Sequence, residues 1–285
     1  MSGEIFIQAP AKINLGLRVL PKRDDGFHGI ESVFASVGLF DDLIVRPLAE
    51  KNVCKVFCDQ AEVPPKNTVN SAYQAAKSVL EEDLPGVSVQ LKKRIPLGGG
   101  LGGGSSDAAA LLFALRKFGV AFSKEAAFKI AALVGSDVFF FLSLDGKPSG
   151  AAIVWGRGEL VKPISPRNEL HFVLVFPGVH SSTAEAYSAL DESSDRPRNG
   201  CLPLDKLENV YRSPVKDWTF SNDFTPVISA KYSKVRQALR DVKSCGALFS
   251  DMSGSGSTVF GVFDSFNAAE NAYLLLSNNW NATFL

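Results

Sequence analysis

Apolar and polar positions follow two different rhythms along the chain. Glu4 to Gln8, Asn14 to Leu20, Asp42 to Pro47 and Val53 to Cys58 are short, rich in β-branched and aromatic residues and bounded by turn formers, which predicts strands. Val87 to Lys92 alternates Val, Val and Leu with Ser, Gln and Lys, the pattern of a half-solvated strand. Between these, Asn70 to Leu80 predicts a helix. Further on, Ala108, Leu111, Leu112, Leu115 and Phe118 recur at helical spacing with Gly119 as a stop, and Lys124 to Val134 predicts another helix ending at Gly135. Two prolines and mixed charge from Lys162 to Asn168 interrupt the pattern between Ile153 and the strand His171 to Phe176. The reading is therefore two domains, residues 1–162 and 163–285. In the second, helices are expected around Val227 to Asp241 and Ala268 to Ser277, with the strand Thr258 to Phe263 between them. Asp191 to Pro203 is polar and rich in Pro and Gly, and reads as a mobile surface loop.

One segment departs from both rhythms. Pro96 to Asp107 (PLGGGLGGGSSD) holds six glycines in seven positions between a predicted strand and a predicted helix. Such a run lets backbone N–H groups approach an anion closely, and the following helix N-terminus adds partial positive charge, so the segment reads as a phosphate cradle. Pro96, Gly98, Gly99, Gly100, Leu101, Gly102, Gly103, Gly104, Ser105 and Ser106 are its candidate residues. Ser105 or Ser106 is expected as the helix N-cap, and either hydroxyl could face a magnesium ion bridging phosphates. Gly98, Gly100 and Gly103 satisfy the spacing of a dinucleotide fingerprint, but the segment lies deep in the chain and Glu125, the acidic residue at the right distance, falls in a helix. A Walker A loop would need Gly-Lys-Ser/Thr at its end, and a protein kinase its His-Arg-Asp and Asp-Phe-Gly segments; the sequence has none of these.

Composition narrows the partners. Thirty basic and thirty acidic residues leave no net charge, which argues against nucleic acid or an anionic membrane as the main partner and confines any anion site to a local feature. Cys54, Cys58, Cys201 and Cys245 form no Cys-x-x-Cys pair, and only His28, His171 and His180 could help them bind metal, so unpaired thiols in a reducing compartment are expected. Ile5 to Leu20 reads as folded structure without a basic segment and apolar run before it, and runs such as Val138 to Leu142 are too short to span a bilayer; a cytoplasmic protein is expected.

Two further segments carry polar groups in ordered surroundings. In Pro10-Ala11-Lys12-Ile13-Asn14-Leu15, Lys12 and Asn14 are two apart and so share one face of a strand, opposite the apolar Ile13, Leu15 and Leu17. Met252 to Thr258 (MSGSGST) precedes a strand and offers a second turn suited to an anion.

Taken in order, Pro10 to Leu20, Lys22 to His28 (KRDDGFH), Pro96 to Asp107, Gly135 to Val138 (GSDV) and Ser253 to Thr258 resemble the motifs of the GHMP kinase superfamily. The first two together resemble the branch acting on the cytidine diphosphate conjugate of 2-C-methyl-D-erythritol, an intermediate of the non-mevalonate isoprenoid pathway in bacteria. Phe27 stands in place of that branch's tyrosine, Ser136 in place of alanine, and Phe139 in place of proline. The resemblance implies an α+β fold of two domains, one like ribosomal protein S5 domain 2 and one a C-terminal α/β sandwich. It implies ATP and Mg2+ as cofactors, a small-molecule substrate rather than nucleic acid or membrane, and a monomer or weak homodimer.

It also implies roles for particular residues. Asp137 accepts the proton of the substrate hydroxyl, Lys12 stabilises Asp137 and the transferring phosphoryl group, and Asn14 helps hold the substrate. Burial at the start of the apolar run is expected to favour the neutral form of Asp137, and Lys12 to keep it ionised. Phe27 and Tyr187 sandwich the cytosine ring, the backbone and ring of His28 meet its edge, and Thr183 completes the substrate set. Other members of the superfamily act on mevalonate, homoserine or a sugar. A nucleotide-binding regulator without catalysis would be expected to lack Lys12 or Asp137, and the chain has both.

Overall fold

The computed structural model describes residues 3–59, 67–193 and 202–285. The chain opens with two long antiparallel strands, β1 (Ile5–Lys22) and β2 (His28–Leu48), paired along nearly their whole length. The two separate strands expected at the N-terminus are thus one, and the strand expected from Asp42 is the end of another. What hid this is Pro10, which the ladder absorbs by a register shift between Pro10 and Ala11. The hairpin continues as β3 (Cys54–Cys58), helix α1 (Thr68–Leu80) and β4 (Gly86–Lys92), with β3 parallel to β4 and β4 antiparallel to the second half of β2. Three helices follow, α2 (Gly103–Lys117), α3 (Lys124–Val134) and α4 (Asp137–Ser143), and then β5 (Ala151–Gly156) and β6 (Leu160–Ile164), a hairpin that pairs with the first half of β2.

The second part contains β7 (His171–Phe176), α5 (Thr183–Glu192), α6 (Leu204–Arg212), α7 (Phe224–Lys231), α8 (Ser233–Ser244), β8 (Phe249–Met252), β9 (Val259–Phe263), α9 (Phe266–Leu276) and β10 (Asn281–Phe284). Its four strands form a second antiparallel sheet in the order β10-β7-β9-β8. The sheets change between Ile164 and His171, so the boundary expected at residue 162 falls inside β6. The helix expected over Val227 to Asp241 is two helices that break at Tyr232, whose extended backbone starts the second. Of the expected loop Asp191 to Pro203, Asp191 and Glu192 belong to α5 and residues 194–201 lie outside those described.

The alternation of β1 positions the site. Ile13 and Leu15 are fully buried in a core shared with Val33, Ile153 and, from the second part, Leu174 and Phe260. Lys12 and Asn14 therefore project from the opposite face of the strand. There the main-chain N–H of Lys12 donates to the carbonyl of Leu101 at 2.9 Å, tying β1 to the glycine segment. Cys54, Cys58 and Cys245 are free thiols, and Cys201 lies outside the described residues.

Candidate active site

The glycine segment winds over the start of α2. Gly98, Gly100 and Gly102 all have positive φ, and each is also crowded: a Cβ on Gly98 would stand 2.6 Å from Nδ1 of His180. A Cβ on Gly100 would stand 2.1 Å from the carbonyl oxygen of Ser253, and one on Gly102 would stand 3.1 Å from Cγ of Lys12. Helix α2 begins at Gly103, with Gly102 as its N-cap and no side chain capping it. The N-cap expected at Ser105 or Ser106 is therefore replaced by backbone, because the left-handed Gly102 turns the chain into the helix earlier. Leaving the first amides without a side-chain cap suits them to an anion.

The two serines face different ways. Ser105 lines a cavity of about 600 Å³ beneath the glycine segment, together with Lys12, Asn14, Thr68 and Lys93. Ser106 is buried, its hydroxyl has no hydrogen-bond partner among the described residues, and it lines a small separate void behind the helix. Asp107 also points away from the cavity, into a buried ionic group. Lys93 Nζ lies 2.9 Å from Asp107 and pairs also with Asp41, which accepts the main-chain N–H of Arg94 at 2.6 Å and of Ile95 at 2.9 Å. This group anchors the strand that enters the glycine segment to the helix that leaves it. Desolvation pushes the Asp107 carboxyl up to about 7, and the charge of Asp41 adds to the effect.

Lys12 and Asp137 meet at the floor of the same cavity. Nζ of Lys12 is 3.4 Å from Oδ2 of Asp137. Lys12 also donates to Oδ1 of Asn14 at 2.7 Å, while Nδ2 of Asn14 donates to the Ser32 hydroxyl at 3.2 Å, which donates to the carbonyl of Gly16 at 2.5 Å. Both ends of the Asn14 amide are thus used inside the protein, where they orient Lys12. The lysine is 4 % exposed and Asp137 30 %, so the carboxylate faces the cavity rather than the core. The burial expected of Asp137 from the apolar run falls instead on Val138, Phe139, Phe140 and Phe141, which turn inward on α4.

A second cavity, of about 730 Å³, adjoins the first and is lined by Phe27, His28, Asp137, Thr183 and Tyr187. Tyr187 stacks on His28 with ring centroids 5.1 Å apart, and meets Phe224 edge-on at 4.9 Å. Burial and the nearby charge of Asp137 push the Tyr187 phenol up to about 12. Both ring nitrogens of His28 are engaged, Nδ1 with the carbonyl of Leu20 at 2.8 Å and Nε2 with Asp191 at 3.2 Å. The edge of the His28 ring, expected to read a base, is thereby occupied by protein, which leaves its backbone and its face. Phe27 is half exposed and lies under the Arg157 guanidinium at 3.7 Å, so each ring of the expected Phe27–Tyr187 sandwich has a protein partner of its own.

The Met252 to Thr258 turn does not stand apart as a second anion site. It packs on the glycine segment: the Ser253 hydroxyl donates to the carbonyl of Gly100 at 2.9 Å, and the main-chain N–H of Thr258 to that of Gly99 at 3.2 Å. Asn222 secures the turn, its amide donating at 2.8 Å to the carbonyls of both Met252 and Gly254. Ser255 reaches across to Thr183 at 3.1 Å. Ser32, Thr68, Lys93, His180 and Asn222 are among the site residues missed from sequence, because each lies outside the motifs and is brought in only by tertiary packing.

These features match known proteins along the whole chain. The family model described as GHMP kinases N terminal domain matches residues 67–143, and that described as GHMP kinases C terminal matches residues 209–282. A "4-diphosphocytidyl-2-C-methyl-D-erythritol kinase" of Treponema pallidum is 37% identical over 284 residues, covering 97% of this chain and 96% of that protein. The protein of the same name from Chlorobium limicola is 36% identical over 275 residues, covering 95% of this chain and 93% of its own. The chain belongs to the 4-diphosphocytidyl-2-C-methyl-D-erythritol kinase family of GHMP kinases. A crystal structure titled 4-(cytidine 5'-diphospho)-2C-methyl-D-erythritol kinase superposes with a TM-score of 0.74 at 32% identity, covering 98% of each chain. Within this kinase family frame the glycine segment and the Lys12–Asp137 pair fall in the first cavity, and the aromatic residues in the second. Among the described residues no helix is long and apolar enough to cross a membrane.

Proposed function

We propose that this kinase transfers the γ-phosphoryl group of ATP to the 2-hydroxyl of 4-diphosphocytidyl-2-C-methyl-D-erythritol. The observation that carries this reading is the place of Asp137, which lines both cavities at their junction. A carboxylate there can meet a nucleophile arriving from the aromatic side and a phosphoryl group arriving from the glycine side. A cavity of about 730 Å³ with stacked aromatic rings is larger than homoserine or mevalonate requires, and suits a nucleotide conjugate.

The residues act as follows. The uncapped amides at the start of α2 and the glycine backbone bind the triphosphate, which orients the γ-phosphorus towards Lys12 and Asp137. Oδ2 of Asp137 accepts the proton of the hydroxyl as its oxygen attacks, and Lys12 offsets the charge on Asp137 and on the transferring group. Asn14 and Ser32 hold the ammonium in that position. Tyr187, His28 and Phe27 stack the base, with Thr183 beside it on α5. Among the described residues no group of three His, Cys, Asp or Glu could hold a metal by itself, so magnesium would rest on phosphate oxygens with Ser105 as the protein ligand, and not Ser106. When bound there, it neutralises triphosphate charge. The reading extends to a monomer or weak homodimer in the cytoplasm.

ADP formation is measured with the cytidine diphosphate conjugate, the uridine analogue, mevalonate and homoserine as acceptors. Turnover with the cytidine conjugate alone is expected; preference for mevalonate or homoserine would overturn the reading.

A further inference from the structure

Arg157 occupies a place that neither the motifs nor the reaction chemistry assigns. It sits on the turn between β5 and β6, held by its main-chain N–H donating to the Glu159 carboxylate at 2.5 Å. The next residue, Gly158, packs so closely on Ser136 that a Cβ there would be 2.8 Å from the Ser136 Cβ. The turn is thereby pressed against the residue preceding Asp137, and the guanidinium extends over the Phe27 ring at 3.7 Å. Arg157 thus lines the same cavity as the base-stacking ring and the reacting carboxylate.

The charges of the aromatic cavity are unevenly satisfied. Its three carboxylates each have a partner: Asp137 pairs with Lys12, Asp191 with His28, and Glu192 accepts from the Ser188 hydroxyl at 2.9 Å. Its two long cations, Lys22 and Arg157, have no carboxylate within ion-pair distance among the described residues. A solvent-facing guanidinium stacked on an aromatic face keeps its N–H fork available, and that fork matches the geometry of phosphate oxygens.

We infer that Arg157 is a specificity-determining residue that binds the diphosphate bridge of the acceptor substrate. The inference rests on the functional reading above. With the base on the aromatic rings and the hydroxyl at Asp137, the diphosphate joining them lies within the cavity that Arg157 lines. By occupying one face of Phe27, Arg157 also leaves a single face of that ring for the base.

The test compares Arg157→Met, which keeps the stacking length and removes the charge, with Arg157→Lys and the parent enzyme. Steady-state kinetics on both substrates are combined with competitive inhibition by CDP and by cytidine. Arg157→Met is expected to raise the KM for the cytidine diphosphate conjugate and the Ki for CDP about tenfold or more, the loss typical of a charge-assisted contact. The KM for ATP and the Ki for cytidine should change by less than about twofold, and Arg157→Lys should recover part of the loss. An equal loss for cytidine and CDP would overturn the inference, since Arg157 would then act only through Phe27. So would an unchanged Ki for CDP. Failure of the parent enzyme itself to turn over the cytidine conjugate would instead bring down the functional reading, and this inference with it.

Discussion

The Lys12 ammonium lies 3.4 Å from the Asp137 carboxylate and joins the first strand of the protein to the short helix α4. Gly102 touches both partners' supports: a Cβ at that position would stand 3.0 Å from the Phe141 ring of α4 and 3.1 Å from Cγ of Lys12. Its φ of +70° adds backbone strain to any replacement. Gly102→Val is therefore expected to weaken ATP binding about tenfold or more and to lower turnover through displacement of Lys12. Calorimetry on the folded variant checks this. Unchanged affinity would mean that the triphosphate does not lie on this segment.

The stacking of Tyr187 on His28 at 5.1 Å makes a prediction about the acceptor substrate. Loss of an aromatic face costs roughly 1–3 kcal/mol per stacked base, so Tyr187→Ala should raise the KM for the cytidine substrate about tenfold while leaving that for ATP nearly unchanged. Tyr187→Phe should keep most of the affinity, since the ring and not the phenol does the stacking. Steady-state kinetics on both substrates decide the matter; an effect on ATP instead would move the base pocket elsewhere.

The buried Asp41–Lys93–Asp107 group predicts a pH dependence of stability. Burial raises the Asp107 carboxyl from 3.8 to about 7. A carboxyl raised on folding holds its proton more tightly in the native state, so its contribution to native stability is fully present below the lower value and is lost as pH rises through the upper one. For one group the slope approaches about 1.4 kcal/mol per pH unit within that window. Replacing Asp107 by the neutral Asn removes this term, so Asp107→Asn should gain on the parent protein between pH 5 and pH 8. Asp41→Asn should be destabilised at both pH values by about 2–4 kcal/mol, because Asp41 accepts two main-chain N–H groups as well as the Lys93 ammonium. Urea unfolding at the two pH values measures both; a parallel pH response of Asp107→Asn and the parent would contradict the assignment.

Much of the site was legible because it is built from backbone-driven motifs. The glycine run stands out by composition alone and takes up positive φ in the fold, and the two-residue spacing of Lys12 and Asn14 gives them a shared face. What stayed hidden depends on packing between distant segments. The β1 strand looked like two because Pro10 interrupts its pattern, and the bulge that accommodates Pro10 is a property of the pair and not of the strand. The Ser253 turn looked like an independent anion site, whereas Ser253 and Thr258 spend their polar groups on the glycine segment. The sequence leaves the His28 ring free to read a base edge, whereas in the fold Leu20 and Asp191 engage its two nitrogens. No local pattern encodes a partner so far away in sequence, and Lys93 escaped for the same reason.

The most direct test of the account is the turnover of Asp137→Asn with ATP and the cytidine diphosphate conjugate, measured alongside ATP affinity by calorimetry. Asn keeps the size of the side chain and its place beside Lys12 but cannot accept the proton of the acceptor hydroxyl. The expected result is a fall in kcat of about a hundredfold or more with ATP affinity nearly intact, as for loss of a positioned base. Turnover close to that of the parent enzyme would contradict the claim that Asp137 takes the proton.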